Sequence, residues 1–201
     1  MAKQDSQPVV LTVGHSTRPL VEFMALLAVH SVTRLIDVRT VPRSRHNPQF
    51  NRDSFPAALE ADGIRYEHVA GLGGFRRTHP GSVNLGWRHV SFRGFADYMQ
   101  TPEFAENLDG LIERASRERI VLMCAEAVPW RCHRSLIADA LTVRSIAVEH
   151  ILSAIHRQFH TLTPWAQVNG TQLTYPLRRS RPTVHPARMT LTVRNVLERN
   201  K

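Results

Sequence analysis

Cysteine is scarce: Cys124 and Cys132 are the two in 201 residues. That excludes a disulfide scaffold and makes the reducing cytoplasm the expected compartment. Lysine is scarce too, since only Lys3 and Lys201 interrupt the arginines among 26 basic residues. No apolar run approaches the ~20 residues that cross a bilayer, so no membrane association is expected. The polar stretch Met1–Gln7 has no signal-peptide core. Acid is nearly missing from the end of the chain. Residues 151–201 hold 8 Lys/Arg and the single acid Glu198, against 18 basic and 16 acidic residues in 1–150. The net charge of +9 therefore belongs mostly to the tail.

The apolar share of 42% with 21% charged residues suits a globule and excludes a wholly disordered chain. Short apolar runs alternate with helical periodicity from residue 9 to about 151. Strands are predicted at Val9–Val13, Leu35–Val38, Ile64–Val69, Ile120–Met123 and Ile146–Leu152. Helices are predicted behind Pro19, over Ser54–Ala61, Phe92–Met99, Pro102–Ser116 and His133–Leu141. The alternation implies an α/β fold, a single three-layer domain with a mostly parallel, roughly five-stranded sheet and helices on both faces. Residues 1–8 read as a disordered lead, 9–155 as the α/β domain, and 156–201 as a basic, Arg-rich C-terminal extension. The long segments Thr40–Arg52 and Ala70–Ser91 exceed ordinary connections, which marks them as functional or mobile loops. The second reads as a flap, and Asn169-Gly170 as a turn.

Unusual polar residues fall where strands end: Gly14-His15-Ser16, Asp37 with Arg39, His68, and Cys124 with Glu126. In a parallel sheet these points share the carboxyl edge, where open α/β folds bind ligands. Thr12–Ser16, Asp37-Val38-Arg39 with Pro42 and Ser44, Leu72-Gly73-Gly74, and Cys124-Ala125-Glu126 with Cys132-His133-Arg134 form a distinctive set. Over about residues 9–155 the chain resembles the family catalogued as domain of unknown function 488. The resemblance implies a compact α/β domain whose motif residues gather in one pocket, without implying an activity.

The chemistry of these residues favours an enzyme, its reaction class open, acting on an anionic substrate such as a nucleotide or another phosphorylated molecule. Glu126 is the candidate acid/base and Cys132 the candidate nucleophile, because a thiolate is stabilised at a helix start. His15 is the candidate proton relay. Asp37, Arg39, Arg43, Arg45, His133 and Arg134 are candidate substrate-binding residues, arginine pairing in bidentate fashion with phosphate or carboxylate. The competing reading makes Asp37–Arg39 and Glu126–Arg134 internal ion pairs. Trp87, Tyr98 and His68 either stack a ring or simply pack. No cofactor is required by this reading. The metal alternative places zinc on Cys124, Cys132, His133 and His15, although two adjacent helical residues, Cys132 and His133, would point about 100° apart. A further alternative is a non-catalytic nucleic-acid-binding accessory protein that uses Arg178, Arg179, Arg181, Arg188, Arg194 and Arg199. Oligomeric state is not legible.

Overall fold

A computed structural model describes residues 8–177. The apolar runs become strands β1 (Val9–Gly14), β2 (Arg34–Asp37), β3 (Arg65–His68), β4 (Ile120–Cys124) and β5 (Ala147–Ile151). They lie parallel in the order β3-β2-β4-β1-β5. The core of β4 is buried on both faces, as its unbroken Ile-Val-Leu-Met run requires. Helices α1 (Leu20–Val29) and α2 (Phe55–Ala61) cover one face, and α3 (Val90–Tyr98), α4 (Pro102–Arg117) and α5 (Arg134–Thr142) cover the other. Successive strand residues alternate between the two cores: Val121 and Met123 face α1 and α2, whereas Ile120 and Leu122 face α3–α5. The protein is thus an α/β fold with a mostly parallel sheet. Among the described residues no helix is long and apolar enough to cross a membrane.

Helix starts follow local chemistry. Thr101 caps α4 by accepting a hydrogen bond from the Phe104 N–H at 3.3 Å, with Pro102 in the first turn. Ser54 holds the capping position of α2, but no hydrogen bond of its side chain caps the helix.

The sheet does not stop at residue 155. A sixth strand, β6 (Arg157–Phe159), pairs antiparallel with β5. Beyond it, β7 (Gln167–Asn169) and β8 (Gln172–Thr174) form a hairpin through Gly170, whose φ of +60° fits the predicted Asn-Gly turn. Leu173 and Tyr175 are buried in the α3–α5 core, which moves the end of the packed body well into the predicted basic extension. The six tail arginines from Arg178 onward, and residues 1–7, lie outside the described residues.

The segment after β3 is anchored rather than loose. A turn at Ala70–Leu72 buries Leu72, and Asp97 accepts hydrogen bonds from His79 N, Ser82 Oγ and Asn84 Nδ2. Trp87 packs against Phe92, Trp165 and Tyr175, and the Arg76 guanidinium lies 3.6 Å from the Tyr98 ring centroid. His68 Nε2 donates to the Arg39 carbonyl. Trp87, Tyr98 and His68 thus each make contacts within the body, and Trp87 also lines a second cleft of about 320 Å³ with His150 and His160.

Candidate functional site

Parallel pairing places Gly14 beside Cys124 and Asp37 beside Met123, so β1, β2 and β4 release their chains at one edge. Close approach there is possible because residue 14 is glycine: a Cβ would run into the Glu126 carbonyl. The chain then turns through Ser16 at φ 51°, a left-handed conformation that a serine adopts only under local constraint. His15 and Ser16 donate their backbone N–H groups to the Cys124 and Ala125 carbonyls. These bonds tie the Gly-His-Ser turn to the cysteine loop.

A cleft of about 320 Å³ opens at this edge, lined by His15, Arg39, Arg43, Cys124 and His133 together with Thr40, Gly74 and Phe75. Five of the predicted residues or their motif neighbours therefore converge. Five predicted residues do not line it, and two of them, Asp37 and Arg134, are buried beneath it. Arg45 is exposed elsewhere. Glu126 turns its carboxylate to the Val128 N–H at 3.1 Å, bracing the loop it belongs to. Cys132, the candidate nucleophile, is 4% exposed and lies behind the cleft, whereas Cys124 faces it.

Arg39 and Asp37 form the internal ion pair of the competing reading. Asp37, fully buried, accepts from the Arg39 backbone N–H and from Nε and Nη2 of its side chain, as well as from Tyr66 OH. Arg39 Nη2 also donates to the Phe50 carbonyl. The guanidinium face left over reaches the cleft, with Nη1 3.3 Å from His15 Nε2. His15 donates Nδ1–H to the Ser16 carbonyl and stacks on Phe50 with ring centroids 4.3 Å apart. Burial foremost, with Arg39 and Arg134 adding to it, pushes His15 down to about 4. It stands neutral at pH 7, with Nε2 as an acceptor.

Arg134 differs from both sequence readings. It makes no ion pair with the Glu126 carboxylate; it donates to the Glu126 backbone carbonyl and, through Nε, to Cys132 Sγ at 3.3 Å. Its side chain is 1% exposed, and among the described residues no carboxylate lies in ion-pair range of it. A buried cation needs an anion, and the sulfur of Cys132 is the group placed to be one. Cys132 Sγ also lies 3.6 Å from His133 Nδ1. The two thiols titrate together. The hydrogen bond from Cys124, then Arg134 and His133, hold Cys132 well below the usual thiol range, while the same bond and burial push Cys124 up.

Cys124, Cys132 and His133 bring their ligand atoms within 4.8 Å of one another. Cys132 is extended (φ −131°, ψ 146°) rather than helical, so the expected 100° divergence from His133 does not arise. His15 is outside this cluster, which corrects the four-ligand zinc reading. Gly74 belongs to the Leu72-Gly73-Gly74 motif and to the segment read as a flap, with no role of its own assigned to it. A Cβ there would strike His133 Nδ1, and that signal is invisible without coordinates.

Comparison with known proteins adds family but no chemistry. The chain is 30% identical over 83 residues to glycogen synthase 1 of Geobacter sulfurreducens (strain ATCC 51573 / DSM 12127 / PCA), covering 39% of this chain and 17% of that protein. The chain thus spans less than a fifth of that relative. No solved structure matches it. The model of the family described as domain of unknown function DUF488 matches residues 19–141, which takes in the cleft-lining loops after β2, β3 and β4 but not the His15 turn, and the chain belongs to that family.

Proposed function

We propose that the protein is an enzyme that binds a small anionic substrate, a nucleotide or another phosphorylated molecule, in the cleft at the carboxyl edge. The observation that carries this reading is the composition of the cleft wall. Two arginines, a neutral histidine and a thiol come from three separate strand ends and meet around about 320 Å³. Arg43 is exposed, and among the described residues no carboxylate pairs with it, so its fork is available to a phosphate or carboxylate. Arg39 contributes field rather than a full fork, because Asp37 holds most of its donors. His15 steadies the cleft face of Arg39 by accepting from Nη1 at Nε2, and the cluster of Cys124, Cys132 and His133 at and behind the cleft wall supplies the reactive group.

The test is turnover of a panel of nucleotides, sugar phosphates and carboxylate esters by the full chain. Any activity found should weaken about tenfold in kcat/KM in Arg43→Ala, chiefly through KM, since one charge-assisted contact is worth roughly 1.5 kcal/mol or more. It should be lost in Cys124→Ser. Turnover that survives both substitutions, or a panel that yields none, overturns the reading.

A further inference from the structure

We infer that Cys124, Cys132 and His133 form a binding site for one zinc ion, with its fourth position open to the cleft. The inference rests on the cleft being the active site and names the cofactor of that same site.

Four observations support it. The donor set is two thiols and an imidazole, the ligands zinc prefers. The spacing fits: Zn–S near 2.3 Å and Zn–N near 2.0–2.1 Å at a tetrahedral angle put sulfur and nitrogen about 3.5 Å apart, and Cys132 Sγ lies 3.6 Å from His133 Nδ1. All three donor atoms fall within 4.8 Å of one another. The imidazole is also oriented for ligation. His133 Nε2 donates to the Val38 carbonyl at 3.0 Å, which leaves Nδ1 as the lone-pair nitrogen facing the sulfurs. Finally, Gly74 keeps the space beside Nδ1 free of any side chain.

Arg134 completes the surroundings. Its Nε–H donates to Cys132 Sγ, the kind of outer contact that steadies a zinc-bound thiolate. Three protein ligands leave one coordination position, the arrangement of catalytic rather than structural zinc. Cys124 and His133 line the cleft, so that position opens toward the bound anion, where water or a substrate oxygen can occupy it. Binding expels the Cys124 thiol proton to solvent as the Zn–S bonds form, the Cys132 sulfur being the anion beside Arg134. His15 takes no part, since its Nε2 faces Arg39.

The experiment uses the full chain dialysed against a chelator and then titrated with Co²⁺. The expected result is one equivalent bound with thiolate-to-cobalt charge transfer and tetrahedral d–d absorption, both abolished by stoichiometric Zn²⁺. Cys124→Ser, Cys132→Ser and His133→Gln should each weaken binding more than about 100-fold, beyond the loss typical of an outer-shell change. Arg45→Ala should bind as wild type does. Thermal melts identify any variant that fails to fold, and the Cys124→Ser variant, altered at the cleft wall, then decides. Absence of the charge-transfer band, or Cys124→Ser binding within threefold of wild type, overturns the inference. Inorganic phosphate is titrated into the same metal-free protein. Arg43-dependent phosphate binding without a cobalt band rejects the metal and leaves the anion cleft standing. A cobalt band with no phosphate binding supports the metal and rejects the cleft.

Discussion

Two buried titratable side chains, Asp37 and His150, account for much of what individual residues do here. Asp37 spends its carboxylate on Arg39 and Tyr66, so Asp37→Asn strands a guanidinium that is 6% exposed. We expect that substitution to cost about 3–5 kcal/mol in denaturant unfolding, as broken buried ion pairs do. His150 is held neutral between Thr12 Oγ1, 2.7 Å from Nδ1, and His160 Nδ1, 3.0 Å from Nε2. His160 in turn meets Asp139 at 2.8 Å. Burial, then His160 and Arg134, push His150 down to about 4, against the raising influence of Cys132 and Asp139. The unfolded chain takes up that proton near pH 6.5 and the folded one only near 4. Stability from this group is therefore complete above pH 6.5 and lost as the pH falls toward 4. It amounts to about 3 kcal/mol. His150→Gln, whose amide can serve both neighbours, should flatten the stability profile between pH 6.5 and 4 relative to wild type; a profile parallel to wild type contradicts the assignment.

Elements differ in how plainly the sequence announces them. The five parallel strands are legible because both faces of the sheet are covered, which demands uninterrupted apolar runs such as Ile120–Met123. Strand β6 is not, since Arg157, Gln158 and Phe159 are all exposed on the sheet edge and carry no hydrophobic pattern. The hairpin of β7 and β8 is announced only by Asn169-Gly170. What binds it to the body is Tyr175, fully buried, with its hydroxyl donating to Asp139 at 2.8 Å and its backbone paired to Asn84 and Gly86. Tyr175→Ala should cost about 3–5 kcal/mol, the usual range for a large buried aromatic, whereas Tyr175→Phe should cost about 1.5–3 kcal/mol for one hydrogen bond to a charged group. Equal losses from the two substitutions would mean that packing contributes little there. At the first loop, Gly14→Ala should lower the melting temperature markedly, because the clash is with backbone that no rotamer change relieves.

At the scale of the whole molecule, the fold explains why motif segments scattered over more than a hundred positions act together. Strand order β2-β4-β1 sets three carboxyl ends side by side, and residues placed at those ends, His15, Arg39 and Cys124, were readable from strand position alone. The misread residues share a cause: their side-chain directions depend on loop conformation. Arg134 turns inward to a sulfur and a carbonyl instead of outward to substrate, Glu126 caps its own loop, and extended Cys132 sits behind Cys124. None of these follows from spacing. A cation-lined cleft reaching the Cys124 thiol is what the proposed function requires, and charged alkylation measures that directly. In metal-free full-length protein, the rate of Cys124 carboxymethylation by anionic iodoacetate is compared with that by neutral iodoacetamide, each mapped by mass spectrometry. The account predicts an iodoacetate-to-iodoacetamide rate ratio above that of a blocked free cysteine, falling about two- to fivefold in Arg43→Ala and with added salt, as roughly 0.5–1 kcal/mol of screened attraction requires. A ratio equal to that of the free thiol and untouched by Arg43→Ala would contradict it.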